Sequence, residues 1–224
     1  MRGFGILGLI LGTSLFVGTS CAQQAAVVPP PTVDNPKSAG PMQTAVLAGG
    51  CFWGVQGVYE HLKGVKRVLS GYSGGERGTA HYQTVGTGKT GHAESVEITY
   101  DPQRVSFGEI LQVFFSVVAD PTELNRQGPD VGTEYRSVIF YKDEAQKNIA
   151  TQYIAQLDKA AVFHAPIVTR VDPLNGFYLA EEYHQDFLLH NPNNPYIMAN
   201  DLPKIRDLQR TFPALYNSRP VRAD

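Results

Sequence analysis

The sequence predicts a mixed α/β domain in two layers, helices covering one face of a sheet. Three observations predict it. Short apolar runs with strand-like alternation are interleaved with three- and four-residue helical periodicities, the helical stretches carry their own start signals, and 42% hydrophobic residues in a 224-residue chain supply a substantial core. The formal charge of -2, from 19 basic and 21 acidic residues, leaves no electrostatic footprint for nucleic acid. Small, uncharged or peptide-like partners fit such a surface better.

Met1-Arg2-Gly3 and the apolar run to Val17 have the charged start and short greasy middle of an export signal. Gly18-Thr19-Ser20-Cys21 then resembles the site at which a bacterial lipoprotein signal is cleaved before a cysteine that is acylated. Gly18 stands where leucine is commonest, and an ordinary cleaved signal is the competing reading. The chain therefore divides into an export signal over 1–21, a Pro- and Ala-rich linker over 22–42 with no packed core, a catalytic domain over 43–216 and a tail over 217–224. The expected location is the cell envelope or periplasm, with the protein tethered to the membrane through lipidated Cys21.

Thr44 to Ala48 reads as a buried strand, and Phe52, Val55, Val58, Tyr59 and Leu62 recur as one face of a helix. Gly64 marks its end, and Val65 to Tyr72 is the next strand. Glu76 to Thr90, with glycines at 78, 86, 88 and 91, reads as a loop. Ala93 to Tyr100 alternates, with Glu94 in register with the apolar set Val96, Ile98 and Tyr100, so its carboxylate is expected on the core side. Ser106 and Glu109 form a capping box ahead of Ile110, Val113, Phe114 and Val117. After a polar loop over 121–135, Arg136 to Tyr141 is a strand, Asp143 opens a long helix, and Ile167 to Val171 is a further strand. Short helices follow near 181–189 and 202–211. The order β-α-β-β-α-β matches a two-layer ferredoxin-like sandwich with a split βαβ core and an irregular C-terminal tail.

The chemistry gathers at Gly49-Gly50-Cys51-Phe52-Trp53-Gly54, where a strand hands over to a helix. A thiol there faces unpaired backbone N–H groups and the positive end of the helix dipole, which is expected to lower its pKa from the ~8.5 of a free cysteine. The bland alternative is an inert buried cysteine. Two rival functions also fit the residues: a thiol hydrolase pairing Cys51 with His184 or His92, and a tethered module whose aromatic pocket binds a methylated ligand. Glu181 and His184 have a metal-like spacing but no second copy, so no metal is expected.

Four motifs in order, Gly50-Cys51-Phe52-Trp53-Gly54, Gly91-His92-Ala93-Glu94, Gln127 to Ser137 and Phe177 to Gln185, resemble those of the type A peptide methionine sulfoxide reductases over residues 43–216. The resemblance implies reduction of methionine S-sulfoxide, free or in oxidised proteins, as repair after oxidative stress. It implies attack by Cys51 on the sulfoxide sulfur, proton donation by Glu94, hydrogen bonds from Tyr82 and Tyr135 to the oxygen, and a methyl pocket walled by Phe52 and Trp53. Asp130 is implied as a polar organiser, and His184 is placed within the domain or at the pocket edge. No bound cofactor is implied, and the protein is expected to act as a monomer.

The sequence departs from many relatives in having no cysteine after Cys51. With Cys21 lipidated or removed, no internal disulfide can form. The Cys51 sulfenic acid is therefore expected to need an external reductant: a thioredoxin-like or glutaredoxin-like protein, or a small thiol.

Overall fold

The computed structural model describes residues 27–223, so the expected export signal and Cys21 lie outside the described residues. The element order is β1 (Gln43–Ala48), α1 (Phe52–Glu60), β2 (Val65–Ser73), α2 (Tyr82–Val85), β3 (Ala93–Tyr100), α3 (Phe107–Val113), β4 (Arg126–Gln127), β5 (Asp130–Val131), β6 (Val138–Tyr141), α4 (Glu144–Lys159), β7 (Arg170–Pro173), β8 (Phe177–Leu179), α5 (Phe187–His190) and α6 (Leu202–Thr211). Six strands form one sheet in the order β7-β6-β1-β3-β2-β8, while β4 and β5 make a separate ribbon. β3 lies antiparallel between β1 and β2, so β1-α1-β2 is a split βαβ unit. β6 lies antiparallel on the other side of β1 and is separated by it from β3, which makes β3-α3-β6 a second such unit. This is the ferredoxin-like plan expected from the element order, extended at its edges by β7, parallel to β6, and by β8, antiparallel to β2.

Local signals account for most of these elements. The apolar stripe of α1 is fully buried, and Ser106 and Glu109 make both bonds of the capping box. The side chain of Asp143 accepts from Gln146 N–H at 2.8 Å and starts α4. Three details differ from the expectation. α1 ends at Glu60, and Gly64, at φ +96°, forms the turn into β2 instead of the cap. The helix begun at Phe107 continues as a π-helical turn over Phe114–Val118, which brings Phe114 and Val118 against Gly49, two residues before Cys51. The strand expected over 167–171 is β7, and it starts at Arg170 rather than Ile167, because the N–H of Ile167 goes to Asp158 Oδ1 and that of Val168 to the Pro121 carbonyl.

The larger correction concerns the expected linker. Its described part is docked on the helical layer. Val28 is 1% exposed within the main core, its N–H donates to Ser116 Oγ, and its carbonyl accepts from Gln112 Nε2. An extended proline-rich strand leaves its carbonyls unpaired. Here Tyr153 Oη donates to Pro29 at 2.6 Å and Gln156 Nε2 to Pro30 at 2.9 Å. Asp34 accepts from Gly108 N–H at 2.8 Å, adding an anion at the start of α3 where the helix dipole favours one. The segment has no core of its own, yet it completes that of the domain.

The tail docks as well. Asn217 N–H donates to His61 O and Val221 N–H to Glu60 O, closing the chain over the end of α1. Beneath it the Glu60 carboxyl is fully buried. Burial and the neighbouring Asp186 push it up to about 9, against the opposing charge of Arg222, so it keeps its proton at neutral pH.

Candidate active site

Cys51 occupies the N-cap of α1, directly after β1. Gly50 makes the handover possible. Its φ of +92° suits glycine, and a Cβ there would lie 2.6 Å from Gln127 Cβ. Glu94, 3% exposed on β3, reaches across to accept the first free N–H of the helix, Phe52 N, at 3.0 Å. One backbone bond thus ties the carboxyl to the turn that carries the thiol. Burial pushes Glu94 up to about 8, opposed by the Phe52 N–H and reinforced by Asp130, Glu134 and Asp201. It is mostly protonated at pH 7.

The expectation of a lowered Cys51 pKa is overturned. Burial pushes the thiol well above its ordinary value, Glu94, Asp201 and Asp130 oppose its ionisation, and the Trp53 N–H only partly offsets them. The helix start is where the sequence predicts it. Burial of the thiol, joined by carboxyls arriving from β3, β5 and the segment before α6, outweighs it.

Tyr82 and Tyr135 share the electrostatic environment of Cys51 and Glu94, and burial, with the Glu94 charge, pushes both phenols up. Neither hydroxyl has a hydrogen-bond partner among the described residues. Tyr82 opens α2, a helical turn inside the expected loop, because its N–H donates to Glu181 Oε1 at 3.0 Å. Glu181 also accepts from Tyr72 Oη at 2.8 Å, so its role is structural, and no cluster of metal-ligating groups occurs among the described residues. Tyr135 is set by Arg136, whose guanidinium donates to the Thr133, His92 and Gly91 carbonyls and clamps this turn to the start of β3.

Trp53 is half-buried and stacks on Phe187, with centroids 3.8 Å apart and planes at 12°; its indole N–H donates to His184 Nδ1 at 3.1 Å. Because that nitrogen accepts, the His184 proton sits on Nε2. Burial lowers its pKa, so the ring is neutral. Phe52 packs behind this wall against His184 and Tyr72, with centroids at 4.9 and 5.8 Å, and is itself 1% exposed. His92 bonds to Gly75 N–H and the Glu76 carbonyl. Neither histidine pairs with Cys51, which removes the base that a thiol hydrolase requires.

Sequence reasoning missed Tyr196, Phe187 and Asp201. Tyr196 Oη donates to Asp130 Oδ2, and both border a groove of about 500 Å³ that opens beside Cys51 and continues past Val117 and Lys204. The turn-rich run Asn191-Pro-Asn-Asn-Pro195 ahead of Tyr196 was the available signal. Asp201, followed by Leu202-Pro203, has the sequence of a simple helix cap.

A solitary nucleophilic thiol beside a protonated carboxyl and two uncommitted phenols, on a ferredoxin-like sandwich, defines a thiol-dependent oxidoreductase site. Residues 43–215 match the family described as Peptide methionine sulfoxide reductase. The chain belongs to that family. It is 60% identical to peptide methionine sulfoxide reductase MsrA 2 of Mesorhizobium japonicum, covering 83% of this chain and 95% of that one. It is 48% identical to MsrA 2 of Synechocystis, covering 90% and 96%. Among solved structures it resembles reduced Mxr1 of Saccharomyces cerevisiae, at 31% identity and a TM-score of 0.61 over 73% of this chain and 92% of that one. It also resembles methionine sulfoxide reductase A of Corynebacterium diphtheriae, at 30% identity and 0.58 over 76% and 90%.

Proposed function

We propose that this enzyme reduces methionine S-sulfoxide, free or in oxidised proteins, through a single-thiol cycle at Cys51. The sulfur of Cys51 attacks the sulfoxide sulfur, oxygen passes to Cys51, and methionine leaves, so that thiol plus sulfoxide becomes sulfenic acid plus thioether. Glu94 supplies the proton to the sulfoxide oxygen, and Tyr82 and Tyr135 donate hydrogen bonds as charge develops there. Trp53, backed by Phe52, faces the S-methyl group. Tyr196 and Asp130 hold the far side of the groove, and His184 fixes the indole. The observation that carries this reading is the bond from Phe52 N–H to Glu94, which sets a buried acid beside the nucleophile.

The sequence has two cysteines, and Cys51 is free, so the second half of the cycle must come from outside the chain. One thiol displaces water from the sulfenic acid to give a mixed disulfide, and a second releases Cys51 with formation of the external disulfide. A thioredoxin-like or glutaredoxin-like protein or a small thiol can serve. One equivalent of S-sulfoxide without reductant should leave Cys51 one oxygen heavier by mass and reactive toward a dimedone-type trap, whereas the R epimer should leave it unchanged. A Cys51-linked dimer with no trappable sulfenic acid would contradict the single-thiol cycle.

We propose that the enzyme is exported and held at the envelope by acylated Cys21, consistent with the short spacing between that residue and docked Val28. Fractionation should find the full-length protein with membranes, and Cys21→Ala should release it or block its processing. Equal recovery of both forms in the soluble fraction would favour an ordinary cleaved signal.

A further inference from the structure

Asp201 stands at the junction of a π-helical turn, Ile197–Asp201, and α6, where a cap would be expected, but its side chain caps nothing. It turns inward against the first turn of α1. It is 1% exposed, Oδ2 is buried without a hydrogen-bond partner, and a Cβ at position 54 would lie 2.1 Å from Oδ1. Gly54 is therefore the space that admits this carboxylate, three residues beyond Cys51 on the same helix. A buried anion with an oxygen left without a donor is costly unless its field is used.

We propose that Asp201 is a positioning residue for Cys51: its carboxylate, buried against Gly54 in the first turn of the helix that Cys51 caps, opposes formation of the thiolate. Like charges in a poorly hydrated site oppose one another, and Cys51 also faces Glu94 from β3, Asp130 from β5 and the phenols of Tyr82, Tyr135 and Tyr196. Glu94 is mostly neutral at pH 7, so it contributes little of that opposition. Asp201 is raised by burial and by Asp130 to about 6, with Lys204 holding it down, so at pH 7 it is mostly ionised. It is thus the carboxylate whose charge persists while Glu94 keeps its proton. A domain with no second thiol among its described residues to resolve an unwanted sulfenic acid gains from a nucleophile that stays quiet toward stray oxidants.

The inference rests on Cys51 being the nucleophile, but its test does not depend on sulfoxide turnover. In the full-length protein, alkylation of Cys51 by iodoacetamide is followed against pH by peptide mass spectrometry. Asp201→Asn should move the midpoint down by about one unit, making alkylation at pH 7 about tenfold faster. Oxidation by hydrogen peroxide, in which the thiolate takes an oxygen and hydroxide leaves, should accelerate in parallel. Asp201→Ser, smaller and also neutral, should shift the midpoint in the same direction should the asparagine variant fold poorly. A merely structural Asp201 would change the melting temperature and leave the midpoint in place, and that result would overturn the proposal. Slower alkylation would overturn it too, since Asp201 would then be the acceptor of the thiol proton.

Discussion

Cys51→Ser should lose all measurable sulfoxide reduction with dithiothreitol as reductant, the largest effect expected of any single change in this protein. Serine preserves the size and position of the side chain at the N-cap of α1, and it leaves the Glu94 bond to Phe52 N–H intact. What it removes is the sulfur that can take up oxygen and give it back through thiol exchange. No other cysteine lies in the described part of the chain, so no neighbour can substitute. Turnover of N-acetylmethionine S-sulfoxide measures the effect, with the melting temperature as a control for folding. Substantial residual turnover in a well-folded variant would remove Cys51 from the centre of the mechanism.

Glu94→Gln should slow the reductive step by the ~10²–10⁴-fold typical of a positioned general acid. The glutamine oxygen can still accept the Phe52 N–H, so the helix start should survive and the loss should appear in the rate rather than in substrate binding. The pH dependence supplies a second signature. With its carboxyl raised to about 8 by burial, Glu94 is the competent acid below that value and loses its proton as pH rises through it. The wild-type single-turnover rate should therefore fall above about pH 8, and this fall should vanish in the glutamine variant. Above that pH an ionised Glu94 also opposes the Cys51 thiolate. A near-wild-type rate in Glu94→Gln would assign the proton to Tyr82 or Tyr135 instead.

Much of the scaffold behind these effects is local in the sequence. The handover from β1 to α1, the alternation that turns Glu94 inward on β3 and the capping box at Ser106 each depend on residues within a few positions of one another. Periodicity and capping rules address that range, so they locate the nucleophile and orient the acid. The family resemblance supplied Tyr82, in His81-Tyr82-Gln83, and Tyr135 and Asp130 in the third motif, which composition alone leaves among ordinary aromatics and surface acids.

Tertiary structure decided the electrostatics. Trp53 and His184 bond across 131 positions of chain, Gln156 binds the proline-rich segment from 124 positions away, and Asp201 reaches Gly54, three residues past Cys51, only because the last helices fold back on α1. By itself the sequence determined the position of Cys51 at a helix start, the presence of a carboxyl on the buried face of the neighbouring strand and the lack of a resolving cysteine. The fold determined that the thiol is held neutral rather than ionised, that the supposed linker is part of the core, and that Tyr196 and Asp201 belong to the site. The reason is that a helix start is a short-range pattern, whereas burial and like-charge opposition are sums over groups brought together from distant parts of the chain, and no local pattern records those sums.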